Sequence, residues 1–213
     1  GLFSTYLVRE QELLEKSPTD GVRWQYDDSR FGSFSDRQVR SVLLKLECKP
    51  EWFRVLLLLA IYSGARRSEL GRLRVSDICR CEDTGIDYFI VRQGKTASAQ
   101  RRVPIHSAVR DSGFADYVAS CDDYLFPQAR KNLNRITDLF GSLLDEQLSE
   151  FGERLTFHSL RHSFITKARS KGVDVSLLQE AVGHAKSGAG ITDRYTHRLS
   201  LKDVAEAVER VRY

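Results

Sequence analysis

The chain has 213 residues, 41% of them hydrophobic and 29% charged, a balance that fits a folded domain and excludes a mainly disordered one. Its longest purely apolar run, Val55 to Ile61, is seven residues against the roughly 20 a membrane-spanning helix needs. Gly1-Leu2-Phe3-Ser4 has no basic segment leading into an apolar core, so neither a span nor a signal peptide is expected. The net charge of +4 points weakly to a polyanionic partner.

There is no methionine, so the chain is expected to be one domain taken from a longer protein. Residues 5–16 have helical character, and residues 17–35, rich in Ser, Pro, Asp and Gly, read as a linker. Residues 1–34 are therefore expected to be the tail of a preceding domain plus a linker, with the main domain over residues 35–213. Ser35-Asp36-Arg37-Gln38 is a capping-box pattern, followed at helical spacing by Val39, Val42, Leu43 and Leu46. Pro50 suits the first turn of a second helix, apolar nearly all round and hence buried, which Gly64 stops. A short helix is expected over residues 66–73.

The periodicity then changes. Residues 86–92 and 101–105 read as strands joined by the polar residues 93–100, giving a small antiparallel sheet with Lys95 near its turn and Pro104 at an edge. Helices are expected over residues 134–151 and 158–170, and then over 175–182, capped by Asp174 and ended by Gly183. A last one is capped by Ser200 and runs to about residue 211, with its Ala205, Val208 and Val211 packing either on a neighbouring protomer or on the domain itself. The fold class is thus mainly α with a small antiparallel β-sheet. Cys48, Cys79, Cys81 and Cys121 offer a C-x-C pair but no second pair at metal-ligand spacing, and reduced thiols are expected.

Charge is segregated. Residues 92–102 hold Arg92, Lys95, Arg101 and Arg102 without an acid, and residues 158–171 hold Arg161, Lys167, Arg169 and Lys171 likewise, whereas residues 144–153 are acidic. Such segregation suits either solvated faces or one basic surface that meets an anion. In Ser63-Gly64-Ala65-Arg66-Arg67-Ser68-Glu69 an arginine directly follows the end of a buried helix. Its guanidinium can pair two donors with a phosphate, and Glu69, three residues on, can orient it or simply form a helix-surface pair. Gly94-Lys95-Thr96 lacks the upstream glycine of a phosphate-binding P-loop, so Lys95 is a candidate phosphate or base contact on its own. His158, Arg161 and His162 share one helical face. His158 and His162 have a metal-ligand spacing, but Arg161 between them opposes a cation, which favours an anion-binding pair of His158 with Arg161. Gly183-His184 ends a helix, and Tyr195 lies in Thr192-Asp193-Arg194-Tyr195-Thr196-His197.

Taken in order, SGARRSELGRL, QGKTASAQRRVPI, TFHSLRHSFIT, LLQEAVGHA and ITDRYTH resemble the motifs of the tyrosine recombinases, the phage-integrase family of DNA breaking and rejoining enzymes. The resemblance covers residues 35 to 210 and implies a mostly helical catalytic domain with a small sheet. It makes Arg66 and Arg161 the catalytic arginines, Glu69 the companion of Arg66, and Lys95 the hairpin lysine. His158 and His184 become the two histidines and Tyr195 the nucleophile. In the mechanism the resemblance implies, Tyr195 attacks a scissile phosphate to give a 3′-phosphotyrosyl link and a 5′-hydroxyl, Lys95 protonates the leaving oxygen, and His158 handles the tyrosine proton. His184 donates to the phosphate, and the two arginines stabilise the pentavalent transition state.

The resemblance implies no cofactor and no metal, double-stranded DNA as the partner, self-association as a tetramer on that DNA, and a cytoplasmic, nucleoid-associated protein of a bacterium, archaeon or phage. Arg92, Arg101, Arg102, Arg130 and Lys131 are expected to contact the DNA backbone. Two departures stand out. His184 and Tyr195 are eleven positions apart, slightly more than is common, and the family's N-terminal DNA-binding domain is expected to lie outside these residues except for its last helix. The other readings are a type IB topoisomerase-like relaxing enzyme, a non-catalytic DNA-binding domain of the same fold, and a metallohydrolase resting on His158 and His162.

Overall fold

The structure is a computed structural model, described for residues 31–92, 100–145, 147–184 and 199–213. The helix expected at residues 5–16 lies outside them. Helix α1 (Asp36–Lys45) starts where the capping box places it: the Gln38 N–H donates to Ser35 Oγ, and the Ser35 N–H donates to Gln38 Oε1 at 3.0 Å. Phe34, just ahead of it, is buried edge-on against Phe140, and its N–H donates to Ser163 Oγ at 2.7 Å.

Helix α2 (Glu51–Ser63) is the centre of the molecule, with Phe53, Leu56 and Leu57 wholly enclosed. It packs on α4 (Ser107–Arg110) and on α8 (Ser159–Ser170). Gly64 ends it in the left-handed conformation, φ 63°. A Cβ there would lie 2.7 Å from Phe164 Cδ1 and 3.3 Å from Val182 Cγ1, so the glycine also permits a close approach of three elements. The short α3 (Arg67–Leu70) follows.

The sheet is antiparallel with order β1-β2-β3 (Ile78–Arg80, Asp87–Val91, Arg101–Pro104). Phe89 pairs with Ile78 on one side and Val103 on the other, and Pro104 sits on an outer strand as expected. The strand β1 was not expected. Three short helices fill residues the sequence reading leaves unassigned: α4, α5 (Phe114–Ala119) and α6 (Pro127–Lys131). The helix expected over 134–151 is shorter: α7 (Asn134–Gly141) stops, and the chain doubles back so that Leu148 bridges to Arg154. Among its anchors, Asp145 accepts from Ser41 Oγ at 2.9 Å and pairs with Lys45.

The core has two parts. The larger runs from Phe34 through α2, the sheet and α7 to Leu160. The smaller joins the middle and end of α8 to α9 (Val175–Val182) and α10 (Leu201–Glu209), with Phe164, Val182 and Val208 buried in it. Helix α10 turns Leu201, Val204, Ala207 and Val208 onto its own domain, so its apolar face packs within the chain. Both α9 and α10 rest on β3.

Candidate active site

Of the expected catalytic residues, Arg66, Glu69, His158, Arg161 and His184 gather where the two cores meet. The left-handed Gly64 turns the chain away from α2, and Arg66, extended at φ −74° and ψ 150°, becomes the N-cap of α3. Glu69 reaches back to it: Oε2 accepts from the Arg66 N–H and Oε1 from Arg66 NH1, each at 2.8 Å. The Arg66 side chain remains 38% exposed while that of Glu69 is only 6% exposed, so the carboxylate is a buried anchor and the guanidinium faces outward.

Arg161 lies on the first turns of α8 and is buried. Its NH1 donates to the Gly64 carbonyl and its NH2 to the Val182 carbonyl, both at 2.7 Å. One side chain thus ties the end of α2 to the end of α9 across the seam. These carbonyls are the unpaired acceptors that helix ends leave behind, which is why a buried guanidinium is stable there. Burial, then the charges of Arg66 and Arg101, lower the Arg161 pKa to about 9, which keeps it cationic at neutral pH.

His158, at the N-cap of α8, is exposed and stands edge-on to His162 with ring centroids 5.0 Å apart. Partial burial, then His162, Arg161 and Arg66, push its pKa below 6.5. His184 follows the left-handed Gly183 (φ 68°) at the end of α9, and its N–H donates to the Gln179 carbonyl. Partial burial and then the charges of Arg161 and Arg66 lower its pKa as well. Both shifts favour the neutral imidazole, which can donate one hydrogen bond and accept another. Lys95 and Tyr195 lie outside the described residues. Among the described residues, no group of three or more His, Cys, Asp or Glu side chains is placed to hold a metal ion.

Arg101 requires a correction. Expected on a DNA-facing surface, it is a buried side chain, 1% exposed. Its Nε donates to the Ala181 carbonyl at 2.8 Å, NH1 to Glu69 Oε1 at 3.2 Å and NH2 to Glu69 Oε2 at 2.9 Å. Burial alone would raise the Glu69 pKa. The Arg101 hydrogen bonds and charge, with Arg66, outweigh it and hold the carboxyl down at about 2. Strand alternation carries the missed signal: Arg101 shares a face with Val103, which is buried, whereas Arg102 points the other way.

The remaining basic residues are on the surface. A groove of about 540 Å³ opens beside Glu69, lined by Arg72, Arg74, Arg92, Tyr124 and Arg130. The Arg74 and Arg130 guanidinium carbons lie 4.7 and 4.2 Å from the centre of the Tyr124 ring. Arg92 pairs with the buried Asp77, Arg102 lies over the Tyr88 ring at 5.8 Å, and Lys131 is exposed at the end of α6.

A mainly helical domain with a small edge sheet and an Arg–Glu–Arg–His floor at the junction of its two cores defines the class, and the sequence agrees. The model of the phage integrase family matches residues 34–201, and the chain belongs to that family. It is 33% identical over 183 residues to the tyrosine recombinase XerA of Pyrococcus furiosus, covering 84% of this chain and 61% of that protein. It is 30% identical over 219 residues to the tyrosine recombinase XerD of Oceanobacillus iheyensis, covering 96% and 71% respectively. Among solved structures, the integrase of mycobacterium phage Brujita superposes with a TM-score of 0.62 at 19% identity over 99% of this chain and 68% of its own. A lambda integrase tetramer bound to a Holliday junction superposes with a TM-score of 0.64 at 18% identity, over 88% and 56%. These two likenesses show the shared fold. The chain spans about three fifths of the length of the XerA relatives it matches.

Among the described residues, no helix is long and apolar enough to cross a membrane.

Proposed function

We propose that the chain is the catalytic domain of a site-specific DNA recombinase that cleaves a strand with Tyr195 and rejoins it to a partner strand. One observation carries this: at the seam between the two cores, Arg66 is fixed by the buried Glu69 carboxylate and Arg161 by two buried carbonyls, beside the imidazoles of His158 and His184. Fixed cations of this kind suit a phosphodiester whose charge rises in a pentavalent transition state.

In the step proposed, Tyr195 Oη attacks phosphorus and the bond to the 5′-oxygen breaks. The phenol proton passes to His158, and Lys95 gives a proton to the leaving oxygen. Arg66 and Arg161 take the non-bridging oxygens, and His184 donates to one of them. The phosphotyrosyl ester keeps the energy of the broken bond, so a 5′-hydroxyl of another duplex reverses the reaction without ATP. The stretch ahead of Phe31 is then the tail of a DNA-binding domain and a linker, whereas Phe34, expected in that linker, is part of the catalytic core. Arg92 and Arg130, which line the groove beside Glu69, are backbone contacts together with Arg102 and Lys131, and the protein acts on DNA in the cytoplasm or nucleoid. Strand exchange requires several protomers on the DNA, in line with the junction-bound tetramer of lambda integrase.

The test is covalent trapping on short nicked duplexes taken from the DNA flanking its gene, without added metal, beside Tyr195→Phe. A detergent-stable protein–DNA band lost in the variant is the expected result. A band that survives in Tyr195→Phe rejects Tyr195 as the nucleophile, and no band in either rejects an active domain and leaves binding alone.

A further inference from the structure

Arg101 has no step in the chemistry above, yet it is among the most enclosed side chains of the molecule. Four donors converge on the two Glu69 oxygens: the Arg66 N–H, Arg66 NH1, and Arg101 NH1 and NH2. A carboxylate has about four acceptor positions, so this one is filled and its plane is set from two directions. An isolated pair three residues apart on a helix would leave both side chains free to rotate. The third arm of Arg101, Nε, holds the Ala181 carbonyl two residues before the Gly183–His184 turn. The guanidinium also fills the space beneath that turn: a Cβ on Gly183 would lie 2.7 Å from Arg101 NH1 and 2.9 Å from Cζ.

We infer that Arg101 is a positioning residue that locks the Arg66 guanidinium, through Glu69, and the Gly183–His184 turn, through Ala181, into one frame with a fixed spacing. The inference rests on the strand-transferase reading above. Three acceptors are met at once by one planar fork, which a lysine ammonium cannot reproduce. Two guanidinium groups and one carboxylate also leave a net positive floor facing the phosphate.

The test compares the parent chain with Arg101→Lys on a nicked duplex carrying either an ordinary scissile phosphate or its Rp and Sp phosphorothioates. Sulfur is a poorer acceptor than oxygen, so a well-placed Arg66 makes cleavage sensitive to one of the two replacements. Arg101→Lys is expected to cleave the ordinary phosphate about a hundredfold more slowly, the scale of a misplaced reacting group, at unchanged DNA affinity, and to lose most of the sulfur sensitivity of the parent. A variant that cleaves like the parent, or that is slowed while keeping the full sulfur sensitivity, overturns the inference. If Arg101→Lys fails to fold in a thermal melt, the double variant Glu69→Gln with Arg101→Gln, which removes the buried charges together, is read by the same criteria. A parent that traps no DNA, or that shows no sulfur sensitivity at either position, rejects the strand-transferase reading or its phosphate grip, and the inference falls with it.

Discussion

Arginines do opposite work in two neighbouring regions of this molecule. At the seam between the cores, Arg101 and Arg161 are buried, and their donors end on a carboxylate and three helix-end carbonyls. Around Tyr124, Arg74 and Arg130 lie exposed against one ring, and Arg74 pairs with the exposed Asp123. The seam arginines have geometry and little freedom, whereas the surface arginines have freedom and are screened by salt. Function at the seam therefore depends on position, and function at the surface depends on charge.

The strongest way to break this contrast is Arg161→Ala. It orphans the Gly64 and Val182 carbonyls at about 1–3 kcal/mol each and removes a proposed transition-state donor worth about 3 kcal/mol. A lower midpoint in thermal unfolding and a loss of covalent trapping of a hundredfold or more are the expected outcomes.

Glu69→Gln comes next. It leaves Arg101 buried without its counter-charge, at a cost of about 3 kcal/mol. The carboxyl has a pKa of about 2 in the fold against an ordinary 4.5, so its stabilisation is fully present above 4.5 and is lost as pH falls from there toward 2. Unfolding midpoints of parent and variant should differ most at neutral pH and converge across that interval.

A smaller effect belongs to His158. Its pKa is depressed below 6.5, so it is neutral at pH 7, and the trapping rate should rise with pH through a point below 6.5 and then level off. His158→Gln should flatten that limb. Because the folded-state pKa lies below the unfolded one, the contribution of His158 to stability also declines as pH falls below 6.5. Smallest is Arg130→Ala. Its unfolding midpoint should barely move, while the slope of log affinity for DNA against log salt should become shallower by about one. A large drop in stability there would erase the distinction between the regions.

Much of this was legible in the residues, for local reasons. The Ser35 box, the stop at Gly64 and the Asp174 cap are short-range hydrogen-bonding patterns, and each lies where the sequence puts it. The placing of Arg66, Glu69, His158, Arg161 and His184 on helix ends was equally readable. Tertiary contacts decided the rest. Leu143, Leu144 and Leu148 continue the apolar stripe of α7 on paper, but Leu143 is buried, Leu148 is exposed, and the pairing of Asp145 with Lys45 and Ser41 bends the chain away from a helix. The strand β1 is only three residues long, and α4 to α6 have four to six each, too few for a period to declare itself. Arg101 was misread because an acid-free basic run looks like surface, while its counter-charge, Glu69, comes 32 positions earlier in the chain.

The two carbonyls held by Arg161 belong to different cores, and neither core alone completes the site. A nascent or partly melted chain has scattered arginines but no pocket, because Gly64 and Val182 meet only after both halves have docked. On the function proposed, the capacity to cut DNA therefore depends on the docking of the two halves and belongs to neither alone.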